Sequence, residues 1–535
     1  MVEMSSKLTL IAPEILIFTG AVVVAVLGLA RNRVLRDAVP WVSIAFLIGS
    51  VIATVIVYCN EESTEAAGLI LPNIGGFVKV MVGIAGIGLV MLGIGTVDRQ
   101  YEDAVRTGRT GFDPLRVIRG EYHTFLLLSL AGTMLICNAN DLAWLFLSIE
   151  LASLPTYVMV AIGRGTRRNL ESAVKYFFLG AMSSATFLYG FALMYGAAGT
   201  TSLVEMRMVF AEQAAGTGIP IFGQLGMVLA IVGICFKITA VPMHFYAPDV
   251  YQGAPTPVTA FLSFIPKVGG FIAIIMICAT VGWQGHALID QAGVRVPIEG
   301  LPRPVHATLW IIAVLTMILG NVGALLQTSI KRLLAYSSIA QSGYMLVGVL
   351  AGTAAGIDAV MLYLATYAIA TIATFGALCG LERHGQEIET LDDLSGLWQK
   401  HKGMAAVLML AGFSMVGLPP LIGFWGKFEI VLAGLAANEV PLVLVLMATS
   451  AISSYYYLHL AGLPIFRKPD ARTEGVVSSP RAWPRIAAIV CGAAILLAPF
   501  GIRMLTKAAS DSAESSWLEP PASASNEAAD PDYRS

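Results

Sequence analysis

The sequence predicts an all-α polytopic membrane protein with about 14 transmembrane helices, and three observations lead to this fold class. Of the 535 residues, 56% are hydrophobic and only 13% are charged, whereas roughly 25% of residues are charged in a soluble domain. Apolar stretches of about 20 residues, the length that spans a bilayer, recur along the whole chain. Lys and Arg are concentrated in alternate loops, as membrane topology requires. An ordinary soluble enzyme is therefore excluded.

The apolar stretches fall into two series of predicted spans. The first series comprises residues 10–30, 40–58, 76–97, 124–138, 141–162, 171–196, 223–246 and 257–281. The second comprises residues 307–327, 332–352, 357–380, 404–436, 440–461 and 484–503. The first span is too long for the apolar part of a signal peptide, so we expect it to be retained. The stretch 404–436 is too long and too rich in Gly and Pro to be one straight helix.

The distribution of basic residues predicts the orientation of these spans. Loops that follow odd-numbered spans carry 21 of the 33 Lys and Arg residues, and such residues accumulate on the cytoplasmic side. Because an even number of spans brings both termini to one side, we expect both termini at the opposite, periplasmic face. The basic segment 98–121 is predicted to be a solvated cytoplasmic connector, and the polar segment 504–535 a disordered tail.

The spans divide the chain into five parts. Residues 1–122 form a three-helix segment with its cytoplasmic loop, 123–281 a first five-helix half, 307–461 a second five-helix half, 484–503 a last helix and 504–535 the tail. Each half contains five spans, an odd number, so the second must run in the opposite direction, and the halves are inverted repeats if they share an ancestor. Prolines at 242, 419 and 420 predict a broken helix in each half, a feature of transporters.

Several kinds of chemistry are excluded by the composition and spacing. The net charge of -2 gives no attraction to nucleic acid. The six cysteines are scattered singly, and neither they nor the seven histidines have the spacing of metal ligands. No Gly-rich phosphate-binding loop is present. We therefore expect this chain to bind no cofactor and no metal.

Four charged residues lie deep within predicted spans and are the main candidates for function: Glu150, Lys237, Lys267 and Lys427. A charge at the centre of a spanning helix costs about 2.5–3.5 kcal/mol, so such residues are rarely kept without a use. Burial disfavours the charged form of a lysine, and a nearby carboxylate restores it. A buried lysine with a movable acidic partner is therefore a proton site of switchable affinity, and Glu150 is the obvious partner for Lys237.

Other ionisable residues admit a structural explanation as well. Lys175, close to the start of its span, is as compatible with a surface role as with a functional one. Lys79 can extend to the membrane interface, and Glu14 can complement the positive end of its helix, so a structural role is favoured for both. His244 lies beside the break at Pro242 and is a candidate proton relay or a hydrogen-bonded loop residue.

Long motifs resemble the antiporter-like membrane subunits of respiratory complex I, the NADH-quinone oxidoreductase. They are SIELASLPTYVMVA, ESAVKYFFLGAMSSATFLYG, FKITAVPMHFYAPDVYQGAPTPVTAFLSFIPKVGGF, QTSIKRLLAYSSIAQSGYMLVG and GLPPLIGFWGKF. Together they cover most of residues 120–460. The segment DVYQGAPTPVTAFLS and the polar tail are similar to the N type rather than to the related L and M types.

This resemblance implies a fourteen-helix fold and proton translocation coupled to electron transfer elsewhere in the complex. NADH, FMN, iron–sulfur clusters and quinone would be bound by other subunits. The partners would be neighbouring antiporter-like and small subunits in a bacterial inner membrane. By the same resemblance Glu150 and Lys237 gate the first half-channel, Lys267 is the central relay, Lys427 serves the second half-channel and Lys175 matches a lysine of the N type.

One departure and several alternatives stay open at this stage. Gln341 occupies a position that is often histidine in related subunits, which implies a wetter or differently routed relay. A Mrp-like cation/proton antiporter subunit, or the membrane subunit of a related hydrogenase or ferredoxin-driven complex, could carry the same motifs. A subunit that only holds its neighbours together would tolerate the loss of all the deep charges.

Overall fold

The computed structural model describes most of the chain. The described residues are 8–58, 74–95, 116–162, 167–281, 301–383, 385–469 and 475–501, with short pieces at 97–98, 101, 104–105, 107–111, 113, 287–289, 295–297, 473 and 506–508. The predicted tail, apart from 506–508, and part of the basic loop 98–121 lie outside them.

Helices dominate the described residues. In chain order they are α1 Ala12–Gly28, α2 Arg33–Tyr58, α3 Ile74–Gly93, α4 Arg119–Ile136, α5 Leu142–Ala161, α6 Arg167–Ala198, α7 Leu203–Ala215, α8 Ile221–Ile234 and α9 Ala247–Gly253. They continue as α10 Thr256–Ala279, α11 Arg303–Leu325, α12 Ile330–Ala351, α13 Ala354–Cys379, α14 Lys402–Val416, α15 Ile422–Ala436, α16 Val440–Phe466 and α17 Trp483–Leu497. Short 3₁₀ turns occupy Leu391–Leu394, Leu397–Gln399 and Ala498–Gly501.

Two small antiparallel sheets lie between the helices. Strands β1 (Ala287–Ile289) and β2 (Arg295–Pro297) pair with each other. Strand β3 (Leu381–Arg383) pairs on one side with β4 (Gln386–Glu387) and on the other with β5 (Val476–Ser478). The second sheet joins the segment after α13 to the segment before α17.

The predicted fold class is confirmed. Ten helices of the described part are long and apolar enough to cross a membrane, and three further apolar helices are shorter. A helix lies at every predicted span, but two spans are interrupted, as the prolines indicate. The predicted span 223–246 is helical only as far as Ile234, and the stretch 404–436 consists of α14 and α15 separated at Gly417–Leu421.

The two halves of the chain meet at a fully packed seam. Helices α10, α12 and α13 are almost entirely buried, whereas α2, α6 and α16 expose large apolar side chains. Because lipid offers no hydrogen bonds, exposed apolar side chains are expected where a membrane helix faces lipid or another subunit. Lys267, Ser338 and Gln341, which are described below, lie on the buried seam.

The halves share a matched connection, which supports the predicted internal repeat. Before α5, Asp141 forms an isolated β-bridge with Ser202, and before α12, Ser329 forms one with Thr390. In each case the helix that follows the bridge begins at the next residue. Counting from the two bridges, Glu150 on α5 and Ser338 on α12 occupy equivalent positions.

The close packing of α6 on α8 depends on glycine. A Cβ atom added to Gly190 would lie 2.5 Å from the backbone nitrogen of Ala230, and small residues permit such close approach of membrane helices. We therefore expect Gly190→Leu to destabilise the protein by about 1–3 kcal/mol or more. Thermal unfolding in detergent would measure the loss. Gly196→Leu is the control, because nothing lies within 4 Å of its added Cβ; equal stability of the two variants would contradict the prediction.

Candidate functional site

Lys237 lies in the irregular segment that follows the end of α8, and its side chain is buried. Irregular backbone inside a membrane needs polar partners. Tyr246 of the first half donates to the carbonyl of Phe236, and two further partners come from the second half of the chain. The hydroxyl of Thr316 on α11 accepts a hydrogen bond from the backbone N–H of Val241 at 3.0 Å. The hydroxyl of Ser342 on α12 donates to the carbonyl of Ile238 at 2.5 Å. The break that holds Lys237 is therefore built at the interface of the two halves.

The ammonium group of Lys237 is shared between a hydroxyl and a carboxylate. Its Nζ donates to Ser153 Oγ at 2.7 Å and lies 3.8 Å from Glu150 Oε1. The same carboxylate oxygen accepts a hydrogen bond from Ser184 Oγ at 2.6 Å. Glu150 is therefore close enough to stabilise the charge on Lys237. Its short hydrogen bond, however, comes from Ser184 on α6.

Aromatic rings and a small cavity surround this pair. The Nζ of Lys237 lies 5.2 Å from the ring centre of Phe236, 5.9 Å from Tyr157 and 6.0 Å from Phe187, and each ring face attracts a cation. Lys237 and Ser153 also line a cavity of about 10 Å³, close to the smallest that holds one water molecule. Lys237 therefore lies beside a space of about the size of one water molecule.

Lys267 on α10 is completely buried at the seam between the halves. Its Nζ donates to the backbone carbonyl of Ser338 and lies 5.1 Å from the ring centre of Tyr367. The hydroxyl of Tyr367 in turn donates to Ser338 Oγ at 3.1 Å. Ser338 is the repeat equivalent of Glu150, so Lys267 contacts the second half at the position that carries the carboxylate in the first.

Gln341 on α12, the helix that also carries Ser338, connects two buried tyrosines, Tyr363 and Tyr457. Its Nε2 donates to the hydroxyl of Tyr457 at 2.8 Å, and its Oε1 accepts from the hydroxyl of Tyr363. The hydroxyl of Tyr457 also bonds to Ser337 Oγ. An amide cannot release a proton at ordinary pH, so Gln341 fixes the orientation of these hydroxyls rather than titrating.

Lys427 lies on α15 beside the second helix break, and its environment differs from that of Lys237. Its Nζ donates to the carbonyls of Met415 and Val416, both at 2.9 Å, and to Ser450 Oγ at 3.2 Å. These carbonyls belong to the last turn of α14, where a cation is favoured. The Nζ also lies 5.1 Å from the ring centre of Tyr344. No carboxylate of the described residues forms an ion pair with it.

Lys175 and His244 lie outside this buried row. The side chain of Lys175 is 41% exposed and pairs with Asp249 at 2.8 Å and with Glu171 at 2.6 Å. Asp249 also pairs with Arg332 of the second half at 2.7 Å. Partial burial acts to raise the pKa of Asp249, but the hydrogen bonds and charges of Lys175 and Arg332 outweigh it and hold that pKa below its ordinary value. Asp249 therefore ties the two halves together at a surface, and Lys175 pairs with it from within the first half.

His244 lies between the break and α9, and it is partly buried. Its ring packs against Phe245 at a centroid distance of 5.0 Å. Its buried Nδ1 has no hydrogen-bond partner among the described side chains. Neither observation joins His244 to Lys237 or to Lys267, so its relay role stays a prediction.

A second buried ion pair was not predicted from the sequence. Lys79 on α3 and Glu14 on α1 are both 0% exposed, and their Nζ and Oε1 atoms are 2.8 Å apart. The expectation that Lys79 extends to the interface is therefore wrong, because Lys79 is enclosed by Glu14 and Leu10 at the start of α1 and by the ring of Tyr58 on α2. The apolar pattern of a span shows that a helix lies in the membrane but not which helices pack against each other. Glu14 and Lys79 also lie far apart in the sequence, so spacing gives no sign of their pairing.

Comparison with known proteins gives a consistent result. The family described as "NADH:quinone oxidoreductase/Mrp antiporter, TM" matches residues 139–291 and 294–453. A protein of Paramagnetospirillum magneticum named NADH-quinone oxidoreductase subunit N is 33% identical over 466 residues, 86% of this chain and 88% of that protein. One of Maricaulis maris with the same name is 31% identical over 497 residues, 93% of this chain and 95% of that protein.

Solved structures agree with the fold. A chain of respiratory complex I from Thermus thermophilus with bound aureothin is 26% identical, with a TM-score of 0.71 over 92% of this chain and 98% of that chain. A chain of the Mrp complex from Dietzia is 20% identical, with a TM-score of 0.76 over 98% and 99% of the two chains, and shows the shared fold alone. The chain therefore belongs to the NADH:quinone oxidoreductase/Mrp antiporter family and, within it, to the proteins named NADH-quinone oxidoreductase subunit N.

Proposed function

We propose that this chain is a proton-translocating membrane subunit of a bacterial NADH-quinone oxidoreductase, with Glu150, Lys237, Lys267 and Lys427 as its proton-carrying side chains. The observation that carries this proposal is the pair of buried Lys237 and partly buried Glu150 at the break after α8. An ammonium group buried beside a single carboxylate holds its proton only while that carboxylate stays charged and near. The pair is thus a site whose proton affinity changes with a small movement.

The contacts of the pair indicate how the affinity changes. Glu150 has a 2.6 Å hydrogen bond to Ser184 on α6 but lies 3.8 Å from Lys237. A shift of α6 away from the break would move Glu150 with Ser184 and leave Lys237 with Ser153 and the aromatic rings. Desolvation then favours the neutral amine. The proton would leave through the cavity that Lys237 and Ser153 line.

Buried polar groups continue from Lys237 through the seam into the second half. Lys267 contacts Ser338, whose hydroxyl accepts from Tyr367, and Gln341 on the same helix joins Tyr363 to Tyr457. Hydroxyl groups both donate and accept hydrogen bonds, so with bound water they can conduct a proton between charged sites. Lys427 with its carbonyl partners then forms the last site of the row.

The electron-transfer reaction belongs to the other subunits of the proposed complex. NADH, FMN, iron–sulfur clusters and quinone would act there, and this chain would lie among neighbouring antiporter-like and small membrane subunits. The proposed location is the inner membrane, with both termini at the periplasmic face. The basic residues of alternate loops support this orientation. Coupling would reach this chain as movement of its helices, since none of the proton-carrying groups is itself a redox centre.

Purification from the native membrane in mild detergent tests the proposal against the Mrp-like alternative. We expect flavin-containing and iron–sulfur subunits to co-purify with this chain in constant proportion, identified by mass spectrometry and by the flavin and iron content. The relatives from Paramagnetospirillum magneticum and Maricaulis maris, 33% and 31% identical to this chain, are both named subunit N. Their names favour this outcome. Co-purification with cation/proton antiporter subunits only, without flavin, would contradict it.

A further inference from the structure

The pair of Glu14 and Lys79 is a buried ionisable site that the proposed proton pathway does not use. Both side chains are fully buried, although they belong to the N-terminal helices outside the two repeats. Lys79 also donates to the carbonyl of Leu10 at 2.9 Å, and Glu14 Oε1 accepts from Asn138 Nδ2 at 3.0 Å. Burying two charges costs more than their attraction returns unless all their polar atoms are satisfied. A purely structural pair would therefore be expected to have complete hydrogen bonding.

The hydrogen bonding of this site is incomplete, and in one particular way. Glu14 Oε2, Asn138 Oδ1 and the hydroxyl of Tyr58 are buried without a hydrogen-bond partner among the described residues. The ring of Tyr58 lies 5.5 Å from the Nζ of Lys79, so all three groups surround the same pair. Two of the three are acceptors that lack a donor. A protonated carboxyl, or water that exchanges protons with it, satisfies such acceptors.

The site is connected to the Lys237 cavity by α4 and the residues that follow it. Thr133 and Ile136 of α4 line that cavity, while Asn138 holds Glu14. From Thr133 to Asn138 the chain advances by only about 7 Å along a helical axis. From the Lys and Arg content of the loops, we expect the C-terminal end of α4 and the start of α1 to lie at the periplasmic side. The pair thus lies between the first deep lysine and the face at which protons would be released.

We propose that Glu14, Lys79 and Asn138 form an additional proton-binding site, through which protons pass from the Lys237 cavity toward the face that carries the N-terminus of α1. This inference rests on the proposed function. In the transfer, the ammonium of Lys237 becomes a neutral amine and the carboxylate of Glu14 becomes a carboxyl, with water in the cavity as the carrier. Release of that proton restores the charge on Glu14, and the charge on Lys79 favours that release. The groups that face the pair are Tyr58 from α2, and Cys137 and Asn138 after α4.

The test measures proton translocation in vesicles that contain the assembled complex. Glu14→Gln keeps the size of the side chain and the bond with Asn138 but cannot bind the proton. Glu14→Met with Lys79→Met removes both charges, so that no lone buried charge is left. We expect each variant to assemble and to translocate protons about tenfold more slowly. A pH titration by infrared difference spectroscopy should show a carboxyl band in the parent protein that Glu14→Gln removes.

The control is the ion pair of Asp37 and Arg119, which also joins the N-terminal helices but leaves Asp37 49% exposed. Asp37→Asn should translocate protons at the parent rate. If Glu14→Gln fails to assemble, the double methionine variant supplies the measurement. Full translocation by the double variant would overturn the inference, because a structural pair can be replaced by apolar side chains. Lys237→Met separates the two proposals: if it also translocates normally, the proposed function itself is wrong.

Discussion

Replacing Lys237 with methionine is expected to lower proton translocation by at least about tenfold in the assembled complex. Methionine has a similar length and can fill the space of the lysine side chain, but it carries no proton. Lys237 is the group that connects Glu150, Ser153 and the cavity, and without it Glu150 has no basic group with which to exchange a proton. The measurement is the pH change inside inverted vesicles during NADH oxidation, with quinone reduction recorded in parallel.

The single variant leaves the partly buried Glu150 without its cation, at a cost below the roughly 3–5 kcal/mol of breaking a fully buried pair. The double variant Lys237→Met with Glu150→Gln avoids this loss, because it leaves no lone charge. It should assemble at least as well as the single variant and translocate as poorly. Lys402→Met is the matched control, since Lys402 is exposed at the start of α14. Normal translocation by the double variant would show that the pair is structural.

The arrangement of spans could be read from the sequence because one physical requirement controls it. Every stretch that crosses a bilayer must be apolar for about 20 residues, and every predicted span contains a helix in the structure. The breaks were also predictable, since proline removes a backbone donor and clashes with the preceding turn. The place of each break was less certain: α8 ends at Ile234, several residues before Pro242. Side chains from both halves satisfy the freed backbone there, namely Tyr246, Thr316 and Ser342, and hydropathy does not reveal such contacts.

The identity of the deep lysines was predictable, but most of their partners were not. Glu150 could be assigned to Lys237 because few acids lie deep in any span. The partner of Lys267 is a backbone carbonyl, that of Ser338, and every residue offers such a group. The environment of Lys427 consists mainly of carbonyls at the end of α14. Hydropathy and spacing record side-chain types, so contacts to the backbone leave no signal in them.

Contacts between distant helices were the other limit. Lys79 was expected at the interface because it lies near the start of its span, yet it is fully buried against α1. Lys175 was as compatible with a surface role as with a functional one, and the structure places it beside Asp249 with much of its side chain exposed. In both cases the local pattern is the same, a lysine a few residues inside an apolar helix. Only the packing of neighbouring helices decides the outcome.

The second large effect is expected at Lys427, where two explanations predict different results for two substitutions. As a cap, Lys427 satisfies the carbonyls of Met415 and Val416 at the end of α14. As a proton carrier, it must also give up its proton. Arginine keeps the positive charge and the hydrogen bonds but does not deprotonate in proteins. We expect both Lys427→Met and Lys427→Arg to lower translocation by at least about tenfold.

Assembly of the variants then separates the two contributions. Lys427→Met leaves two carbonyls unsatisfied, at about 1–3 kcal/mol each, and should lower the thermal stability of the complex, whereas Lys427→Arg should retain most of it. A well-assembled Lys427→Arg complex that still translocates protons at the parent rate would make Lys427 a cap alone. A well-assembled complex that does not translocate would show that the site needs a titrating group. Because Lys427 has no carboxylate partner in the described chain, its proton affinity would then depend on the opening of the break at Gly417–Leu421 rather than on the movement of an acid.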